Sequence, residues 1–397
     1  MLTCQVLITF SKPLLEYSFR HKPFNKIVMK KLGKLLLIIC TVTIISCNNQ
    51  NGYVLTGYLT GFPDSTKIYL QNLSTQETFD SAFIIKNKFV FRGKLQNVPE
   101  QIWLNSRVDN QFIYANLLIG NENVTIKGDI KDFPWDVKIS GSRIQDDYNY
   151  RLNLTKAFII KRDSLVKSFL KLSPEIQEEK GKEIWDKVKI LDDTTHSLII
   201  SYVKSHLNTY PGIIDLGYLT NSFTKDTLKA MYERLSPEIK ASRFAKIIEI
   251  TLKDKISEIG DIYHDFEAIN KDGQKIKFSE LTRKYILLDF TSANCGPCVQ
   301  SAEELRLIDK TYNDSLTIIS FSEDAKKEIW INSLKRDSVS WISLWDGKGT
   351  FSETCIKYGV QGIPAFFLIA PNGKIIDKWV GYGKGSLENK LKKFKNI

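Results

Sequence analysis

Two cysteines separated by a Gly-Pro turn stand in the segment Thr291-Ser292-Ala293-Asn294-Cys295-Gly296-Pro297-Cys298-Val299, from which the fold of the C-terminal part can be inferred. An apolar segment typical of a buried strand, residues 285–290, precedes it, and residues 298–312, with apolar side chains at helical spacing, follow it. Cys295 therefore lies at a predicted helix N-terminus, where unpaired N–H groups and the helix dipole favour a negative charge. Since the thiolate is the reactive form of cysteine, the pattern predicts a reactive dithiol.

Strands and helices alternate on both sides of this stretch, through residues 260–397. Residues 270–274 (Asn-Lys-Asp-Gly-Gln) and Asn372-Gly373 are hairpin-turn signals. The pattern predicts strands at 285–290, 316–321, 365–370 and 375–380, and helices at 298–312, at 325–336 and from Ser386. Such alternation with a terminal hairpin predicts an α/β domain, a mixed sheet with helices on both sides.

Residues 52–145 have a different pattern, in which short segments alternate apolar and polar side chains between turn clusters. Strands are predicted at 54–59, 67–71, 88–93, 101–104, 112–114 and 123–128. Short strands at near-regular spacing predict an all-β domain, a small antiparallel sandwich or barrel. No residue here indicates catalytic chemistry, and a ligand- or partner-binding role for this domain stays open.

Residues 146–259 form a helical middle segment, because apolar residues recur there at helical spacing. Two helix starts are marked by Ser173-Pro174 and Ser236-Pro237, each a serine N-cap followed by proline at the first helical position. We interpret the segment as packing support for the domains beside it, with a spacer or a lid over the dithiol as the alternative.

Length and composition limit the remaining function classes. A chain of 397 residues predicts two or three domains. Residues 1–46 hold seven Lys or Arg and one acid, so they carry +6 of the net charge of +11 and leave +5 for the remainder. No basic patch stands out there, which argues against nucleic-acid binding. The six cysteines and four histidines have neither a disulfide framework nor metal-ligand spacing, so we predict no metal and no cofactor.

The N-terminal segment, residues 1–46, has the features of an export signal. Residues 29–34 are basic and are followed by an apolar run from Leu35 to Ile45, which is too short to span a bilayer comfortably. The run ends in Ser46-Cys47 and resembles the lipobox of bacterial lipoproteins. That resemblance implies a signal peptide at 29–46, lipid on Cys47, and a periplasm-facing protein anchored to a membrane of the cell envelope. A retained N-terminal helix is the alternative, and either Met1 or Met29 is the start.

The C-terminal pattern resembles a known family. Cys295-Gly296-Pro297-Cys298 after a buried strand, with Gly362-Ile363-Pro364 before a later strand, looks like thioredoxin, and is most similar to the membrane-tethered TlpA/ResA-like thiol–disulfide oxidoreductases. Residues 52–145 resemble the β domain of unassigned function that often precedes such a domain in bacterial lipoproteins. The resemblance implies a thioredoxin fold for residues 260–397 and disulfide exchange with partner proteins that carry a disulfide or a dithiol.

The resemblance also implies roles for individual residues. Cys295 matches the attacking cysteine, Cys298 the resolving cysteine with which it forms the redox-active disulfide, and Asp289 the buried acid that accepts the resolving thiol's proton. An acid inside an apolar strand is independently notable, because its burial is costly unless it is protonated or partnered. A solvent-facing position at a strand end is the alternative for Asp289.

The remaining matched positions concern the substrate. Pro364 matches the family's cis-proline, whose bend leaves the backbone of Ile363 free to pair with a substrate chain, and Gly296 and Pro297 match further substrate contacts. Thr291 and Asn294 replace the two tryptophans that flank the motif in thioredoxin. Cys355, in a predicted helix at 351–358, is interpreted as a buried small residue, with an additional redox role as the alternative.

The leading functional prediction is an exported, membrane-anchored oxidoreductase. The Gly-Pro pair between its cysteines resembles reducing members, so a reductase that draws electrons from a membrane donor is favoured. A peroxiredoxin is one alternative: Ser292 fits its hydroxyl position, but Leu288 stands where it needs proline, and Cys298 is foreign to such a site. A lipoprotein that binds a ligand or partner, with a non-catalytic dithiol, is the other.

Overall fold

The computed structural model describes residues 52–281 and 284–394. The predicted leader at 1–46, its signal peptide at 29–46, the proposed starts and the lipidation site Cys47 lie outside these residues. Among the residues described, no helix is both long enough and apolar enough to cross a membrane.

The N-terminal part is a β-sandwich, which confirms the predicted all-β domain. Two four-stranded sheets have the strand orders β4-β1-β7-β8 and β3-β2-β5-β6. The strands are β1 (Tyr53–Thr60), β2 (Thr66–Asn72), β3 (Thr78–Ile84), β4 (Lys88–Gly93), β5 (Glu100–Val108), β6 (Gln111–Ile119), β7 (Asn123–Asp129) and β8 (Lys138–Ser140). Alternate residues of β1 are buried, as the period-2 pattern predicts.

Two features of this sandwich differ from the prediction. It is not purely antiparallel, because β1 and β7 pair in parallel. Between them the chain crosses to the second sheet and returns twice, through β2–β3 and through β5–β6, which provides the long connection that parallel neighbours need. Strands β3 and β8 were not predicted: the alternation of β3 is weak and most of its side chains are at least partly exposed, and β8 has only three residues.

The middle segment is helical, as predicted, and two long helices run side by side at its start. The helices are α1 (Arg143–Phe169), α2 (Pro174–Ser205), α3 (Tyr210–Tyr218), α4 (Lys225–Glu233), α5 (Pro237–Lys240) and α6 (Arg243–Lys253). Ser173 and Ser236 are the N-caps of α2 and α5, and the Ser236 hydroxyl accepts a hydrogen bond from the Ile239 N–H at 3.4 Å. The core of this segment also includes Leu118 of β6, so helices and sandwich share apolar packing.

The C-terminal part is a mixed seven-stranded sheet of order β10-β9-β13-β12-β11-β14-β15, which confirms the predicted α/β thioredoxin fold. Its strands are β9 (Glu267–Asn270), β10 (Lys275–Lys277), β11 (Tyr285–Thr291), β12 (Leu316–Ser322), β13 (Ile342–Trp345), β14 (Ala365–Ile369) and β15 (Ile375–Val380). Its helices are α7 (Gly296–Tyr312), α8 (Lys327–Arg336), α9 (Glu353–Lys357) and α10 (Ser386–Leu391). Strand β13 was not predicted, because four residues are too few for a periodic signal.

The central strand β11 places the dithiol and its acid. Its neighbours are β12, in parallel, and β14, antiparallel. Leu287 packs with Leu305 of α7 on one face of the sheet, whereas Leu288 belongs to the core on the other face. Since side chains alternate along a strand, Asp289 points to the same face as Leu287, towards helix α7.

Candidate active site

Cys295 and Cys298 form a disulfide at the start of α7. Cys295 is the N-cap of this helix, and its Sγ accepts a hydrogen bond from the Cys298 backbone N–H at 3.2 Å. Cys298 is 4% exposed, whereas Cys295 is half-buried and the intervening Gly296 and Pro297 are exposed. Cys295 is thus the sulfur that a partner can reach, and the helix N-terminus stabilises its thiolate after reduction.

The loop before β14 faces Cys295. The Ile363–Pro364 peptide bond is cis, as the resemblance implied, and Cys295 Sγ lies 3.6 Å from the Ile363 carbonyl oxygen. In the part of the chain that the structure describes, neither the N–H nor the C=O of Ile363 makes a backbone hydrogen bond. An extended chain that approaches Cys295 therefore finds a free donor and acceptor beside the sulfur.

Asp289 lies behind Cys298 and is buried, so the alternative of a solvent-facing position is wrong. It is 2% exposed; Oδ2 accepts a hydrogen bond from the Ser320 hydroxyl at 2.8 Å, and no described group pairs with the buried Oδ1. Burial raises the pKa of Asp289 from 3.8 to about 7, while the Ser320 hydrogen bond lowers it. Asp289 and Cys298 line one cavity of about 20 Å³, which is large enough for a water molecule.

A second buried acid, Asp324, organises the loop before the cysteines and was not found from the sequence. Its carboxylate accepts hydrogen bonds from the Ser292 hydroxyl at 2.8 Å, the Ala293 N–H at 3.1 Å and the Ser322 hydroxyl at 2.8 Å. Asp324 is the second residue after β12, so it lies at the same sheet edge as the end of the parallel strand β11. The sequence does contain one indication of this role, because Asp324 is an acid close to the end of the predicted strand that neighbours the strand before the cysteines.

Replacing Asp324 with alanine is expected to lower the free energy of unfolding by about 3 kcal/mol. The substitution leaves the hydroxyls of Ser292 and Ser322 and the Ala293 N–H without their acceptor, and each unsatisfied buried group costs roughly 1–3 kcal/mol. Urea unfolding of the oxidised protein measures the loss. Asp314→Ala, which removes an exposed acid, is the matched control with an expected loss below about 0.5 kcal/mol, and equal losses in the two variants would contradict the argument.

A turn of the β-sandwich reaches this loop, which no local sequence pattern could reveal. Gln76, between β2 and β3, donates from Nε2 to the Ser292 hydroxyl at 3.0 Å, and its Oε1 accepts a hydrogen bond from the Asn294 side chain. Glu77 forms an ion pair of 2.9 Å with Lys326, which precedes α8. The sandwich therefore holds the loop that carries Asn294, one of the two positions at which the thioredoxin tryptophans are replaced.

Cys355, in α9, is a buried free thiol, as predicted. It contacts the carboxyl group of Glu323, and its burial and that acid raise the pKa of Cys355 well above its usual value. Burial likewise raises the pKa of Glu323 to about 7. A thiol held in its protonated form is a poor nucleophile, which argues against the additional redox role.

The structure brings the predicted residues together. The Cys295–Cys298 disulfide lies against the loop of Ile363 and Pro364, with Cys295 and Ile363 partly exposed and Cys298 and Pro364 buried, and Asp289 lines a cavity with Cys298. Within residues 52–281 and 284–394, no group of three or more His, Cys, Asp or Glu side chains is arranged to hold a metal ion.

Comparison with known protein families gives two matches along the chain. Residues 53–148 match a domain of unknown function, DUF4369, and residues 283–375 match a thioredoxin-like family. These two segments correspond to the sandwich with the start of α1, and to most of the mixed sheet.

Individual relatives share the C-terminal part. The chain is 28% identical over 143 residues to the thiol-disulfide oxidoreductase ResA of Bacillus cereus, covering 36% of this chain and 80% of that protein. It is 26% identical over 176 residues to probable nucleoredoxin 1 of Arabidopsis thaliana, covering 44% of this chain but only 28% of that protein's length. Among solved structures, the thioredoxin domain of a thiol-disulfide oxidoreductase from Bacteroides vulgatus is 26% identical, with a TM-score of 0.33, covering 35% of this chain and 99% of that one.

The family match, the resemblance to ResA and the geometry around the disulfide agree. A half-buried cysteine at a helix start, a buried partner and a cis-proline loop form a site at which disulfides are exchanged. The C-terminal part of the chain is a thioredoxin-like domain of the thiol–disulfide oxidoreductase type, preceded by a DUF4369 domain.

Proposed function

We propose that the protein is an exported, membrane-anchored thiol–disulfide reductase that acts on partner proteins. The observation that carries this proposal is the Cys295–Cys298 disulfide at the start of α7, next to the unpaired backbone of Ile363 and above the buried Asp289. Export and anchoring rest on the basic start, the apolar run and Cys47 of the sequence. In this proposal, lipid on Cys47 holds the domain at the periplasmic face of a membrane.

The first step uses Cys295. Its thiolate attacks one sulfur of the partner's disulfide; a mixed disulfide forms, and the partner's other sulfur leaves as a thiolate that takes up a proton from water. The Ile363 N–H and C=O pair with the backbone of the partner and align its disulfide with Sγ of Cys295. Gly296 and Pro297 are exposed next to Cys295, so the partner can contact them as it approaches the sulfur.

The second step uses Cys298 and Asp289. The Cys298 thiol passes its proton to the Asp289 carboxylate, through a water in the cavity that both line, and the thiolate attacks Sγ of Cys295. The Cys295–Cys298 disulfide forms, and the partner's second sulfur leaves as a thiolate. Two electrons have then moved from the domain's dithiol to the partner's disulfide, and a membrane dithiol protein has to restore the reduced form.

Replacing Cys298 with serine is expected to trap the partners. Serine cannot resolve the mixed disulfide, so partner proteins stay bound to Cys295 and are released only by an added thiol. Partners are captured in cells and identified by mass spectrometry after elution with dithiothreitol. The double variant Cys295→Ser/Cys298→Ser is the control and should capture none; capture that is equal with the double variant would contradict the proposal.

The direction of electron flow is tested separately. A midpoint potential of the Cys295–Cys298 couple below about −200 mV, the region of the reducing members of the fold, supports a reductase. A value above about −150 mV would overturn that direction, because strong oxidants such as DsbA lie near −120 mV. Equilibration with mixtures of reduced and oxidised glutathione, whose potentials lie in this range, gives the value.

A further inference from the structure

A cavity of about 350 Å³ lies next to the dithiol, where the three parts of the chain meet. The β2–β3 turn contributes Leu73, helices α3 and α6 contribute Ile213 and Phe244, and the thioredoxin-like part contributes Ser292 and Ile363. Its volume lies within the range of small-ligand pockets, roughly 300–1,000 Å³. Ile363 lines the cavity and its carbonyl oxygen is 3.6 Å from Cys295 Sγ, so one residue separates the cavity from the reactive sulfur.

The described lining of this cavity favours apolar and disfavours acidic groups. Leu73, Ile213, Ile214, Ile247, Phe244 and Phe351 supply much of its wall. Glu323 is the one carboxyl group among the lining residues described, and none of them is Lys, Arg or His. Transfer of an apolar side chain from water into this cavity is favourable. A carboxylate in the same place would lose its hydration and would lie near Glu323 without a compensating cation.

The position of Ile363 indicates a polypeptide as the occupant. Its backbone groups are unpaired in the described part of the chain, and it lies on the edge of the cavity. A chain that pairs with Ile363 in an extended conformation projects alternate side chains to opposite sides. Both side chains that flank its reactive cysteine then lie on the face opposite to that cysteine, and we expect the one nearer Ile363 to enter the cavity.

We propose that this cavity is the substrate-recognition pocket of the dithiol, and that it takes a large apolar side chain flanking the reactive cysteine of a disulfide-bearing polypeptide. The inference rests on the proposed function. It gives the DUF4369 sandwich and the helical middle a role in substrate choice, since both form walls that the thioredoxin-like part does not supply. The helical middle is then more than packing support, because α3 and α6 contact the substrate.

The experiment compares two synthetic peptides that each contain one intramolecular disulfide. They are identical except that the residues flanking the cysteine are phenylalanine in one and aspartate in the other. The reduced full chain is expected to prefer the phenylalanine peptide by about 10-fold or more in kcat/KM, the size of effect that apolar pockets reach. The rate at which the reduced chain cleaves the small disulfide 5,5′-dithiobis(2-nitrobenzoate), which has no polypeptide backbone to pair with Ile363, measures the reactivity of the dithiol by itself.

Two variants fill the cavity from opposite walls. Leu73→Trp in the sandwich and Val360→Trp before the cis-proline loop both replace half-buried lining residues. Each is expected to raise KM for the phenylalanine peptide, so that the preference for this peptide in kcat/KM falls below about 3-fold. The rate on the small disulfide should be unchanged. Ile85→Trp, at an exposed position of the sandwich, is the matched control and should keep the full preference.

The remaining outcomes refute either the recognition pocket or the proposed function. The recognition pocket would be refuted if the wild-type chain showed no preference between the peptides, or if the preference survived in both tryptophan variants. It would also be refuted if the variants lost as much rate on the small disulfide as on the phenylalanine peptide. A wild-type dithiol that does not reduce the small disulfide at all would instead refute the proposed function.

Discussion

Replacing Asp289 with asparagine is expected to stabilise the oxidised protein above pH 7 and, at the same time, to slow its catalytic cycle. Burial raises the pKa of Asp289 to about 7 in the folded protein, against 3.8 as its ordinary value. Between these two pH values the unfolded chain has lost the proton that the folded chain still holds. The free energy of unfolding therefore falls as the pH rises through this window.

The size of this effect follows from the two pKa values. A difference of about three units corresponds to roughly 4 kcal/mol, which the wild type has lost once the pH exceeds about 7. Asparagine does not ionise, so the stability of Asp289→Asn lacks this pH dependence. Its free energy of unfolding relative to the wild type should therefore be about 4 kcal/mol higher at pH 8 than at pH 4. Urea unfolding at pH 4, 6 and 8 measures the difference, and a gap that is the same at pH 4 and pH 8 would contradict it.

The same substitution is expected to impair catalysis, although it stabilises the protein at high pH. Asparagine cannot accept the Cys298 proton, so resolution of the mixed disulfide should slow about 100-fold, the low end of what a positioned base contributes. In the wild type this rate should rise as the pH passes through about 7, because only the ionised carboxyl group accepts the proton; the variant should lose that inflection. Release of the second thionitrobenzoate from a mixed disulfide preformed on Cys295 measures the step.

Control variants separate this role from a general effect of the substitution. Asp314→Asn changes an exposed acid and should alter neither the pH dependence of stability nor the resolution rate. Attack by Cys295 on the small disulfide precedes the Asp289 step and should be nearly unchanged in Asp289→Asn. A slowing of attack and of resolution by the same factor would show that Asp289 acts on the structure of the site rather than on the Cys298 proton.

The second large effect concerns the junction of the three parts, where replacing Arg243 with alanine is expected to cost about 3–5 kcal/mol of the free energy of unfolding. Arg243 of α6 pairs with Glu100 of β5, whose side chain is 6% exposed. Its guanidinium group also lies 5.0 Å from the ring centres of Phe244 and Phe351. Removing it leaves the Glu100 carboxylate buried without a counter-ion, which accounts for most of the expected loss.

A second substitution distinguishes the charge from the packing. In Arg243→Ala/Glu100→Gln the buried charge is gone, so the double variant should recover part of the stability; a loss as large as in Arg243→Ala would assign the effect to the aromatic contacts instead. Arg162→Ala removes an arginine that is 40% exposed and pairs with Asp163 and Asp192, and it should cost less than about 1 kcal/mol. Urea unfolding of the oxidised proteins gives all three values.

Much of the thioredoxin-like domain could be predicted because its signals are local. The apolar run before Thr291, the Gly-Pro turn between the cysteines and the helical spacing after Cys298 lie within about 30 residues of one another, and each depends on neighbouring residues only. Strand β11 and helix α7 follow from them, and Asp289 stood out because an acid in an apolar strand requires an explanation. Strand β13 was missed, as its four residues carry too short a pattern.

The surroundings of the dithiol depend on contacts between residues that are far apart in the sequence. Gln76 bonds to Ser292, 216 residues later, and Ser292 bonds to Asp324, which lies 32 residues later in the loop after the neighbouring strand. The parallel pairing of β1 with β7 likewise depends on how the chain returns between the two sheets. No local period encodes such contacts, because they depend on how complete elements pack.

Sequence patterns were enough to predict the chemistry: the reachable sulfur at a helix start, the acid in the strand before it, and the fold that holds them. The surroundings of that chemistry emerged from the three-dimensional structure, namely the loop held by Asp324 and Gln76 and the cavity beside Ile363 that three parts of the chain enclose. The two differ in the distance along the chain over which the contacts act. Periodicity and helix capping act over a few residues, whereas a cavity exists only after distant surfaces have packed against one another.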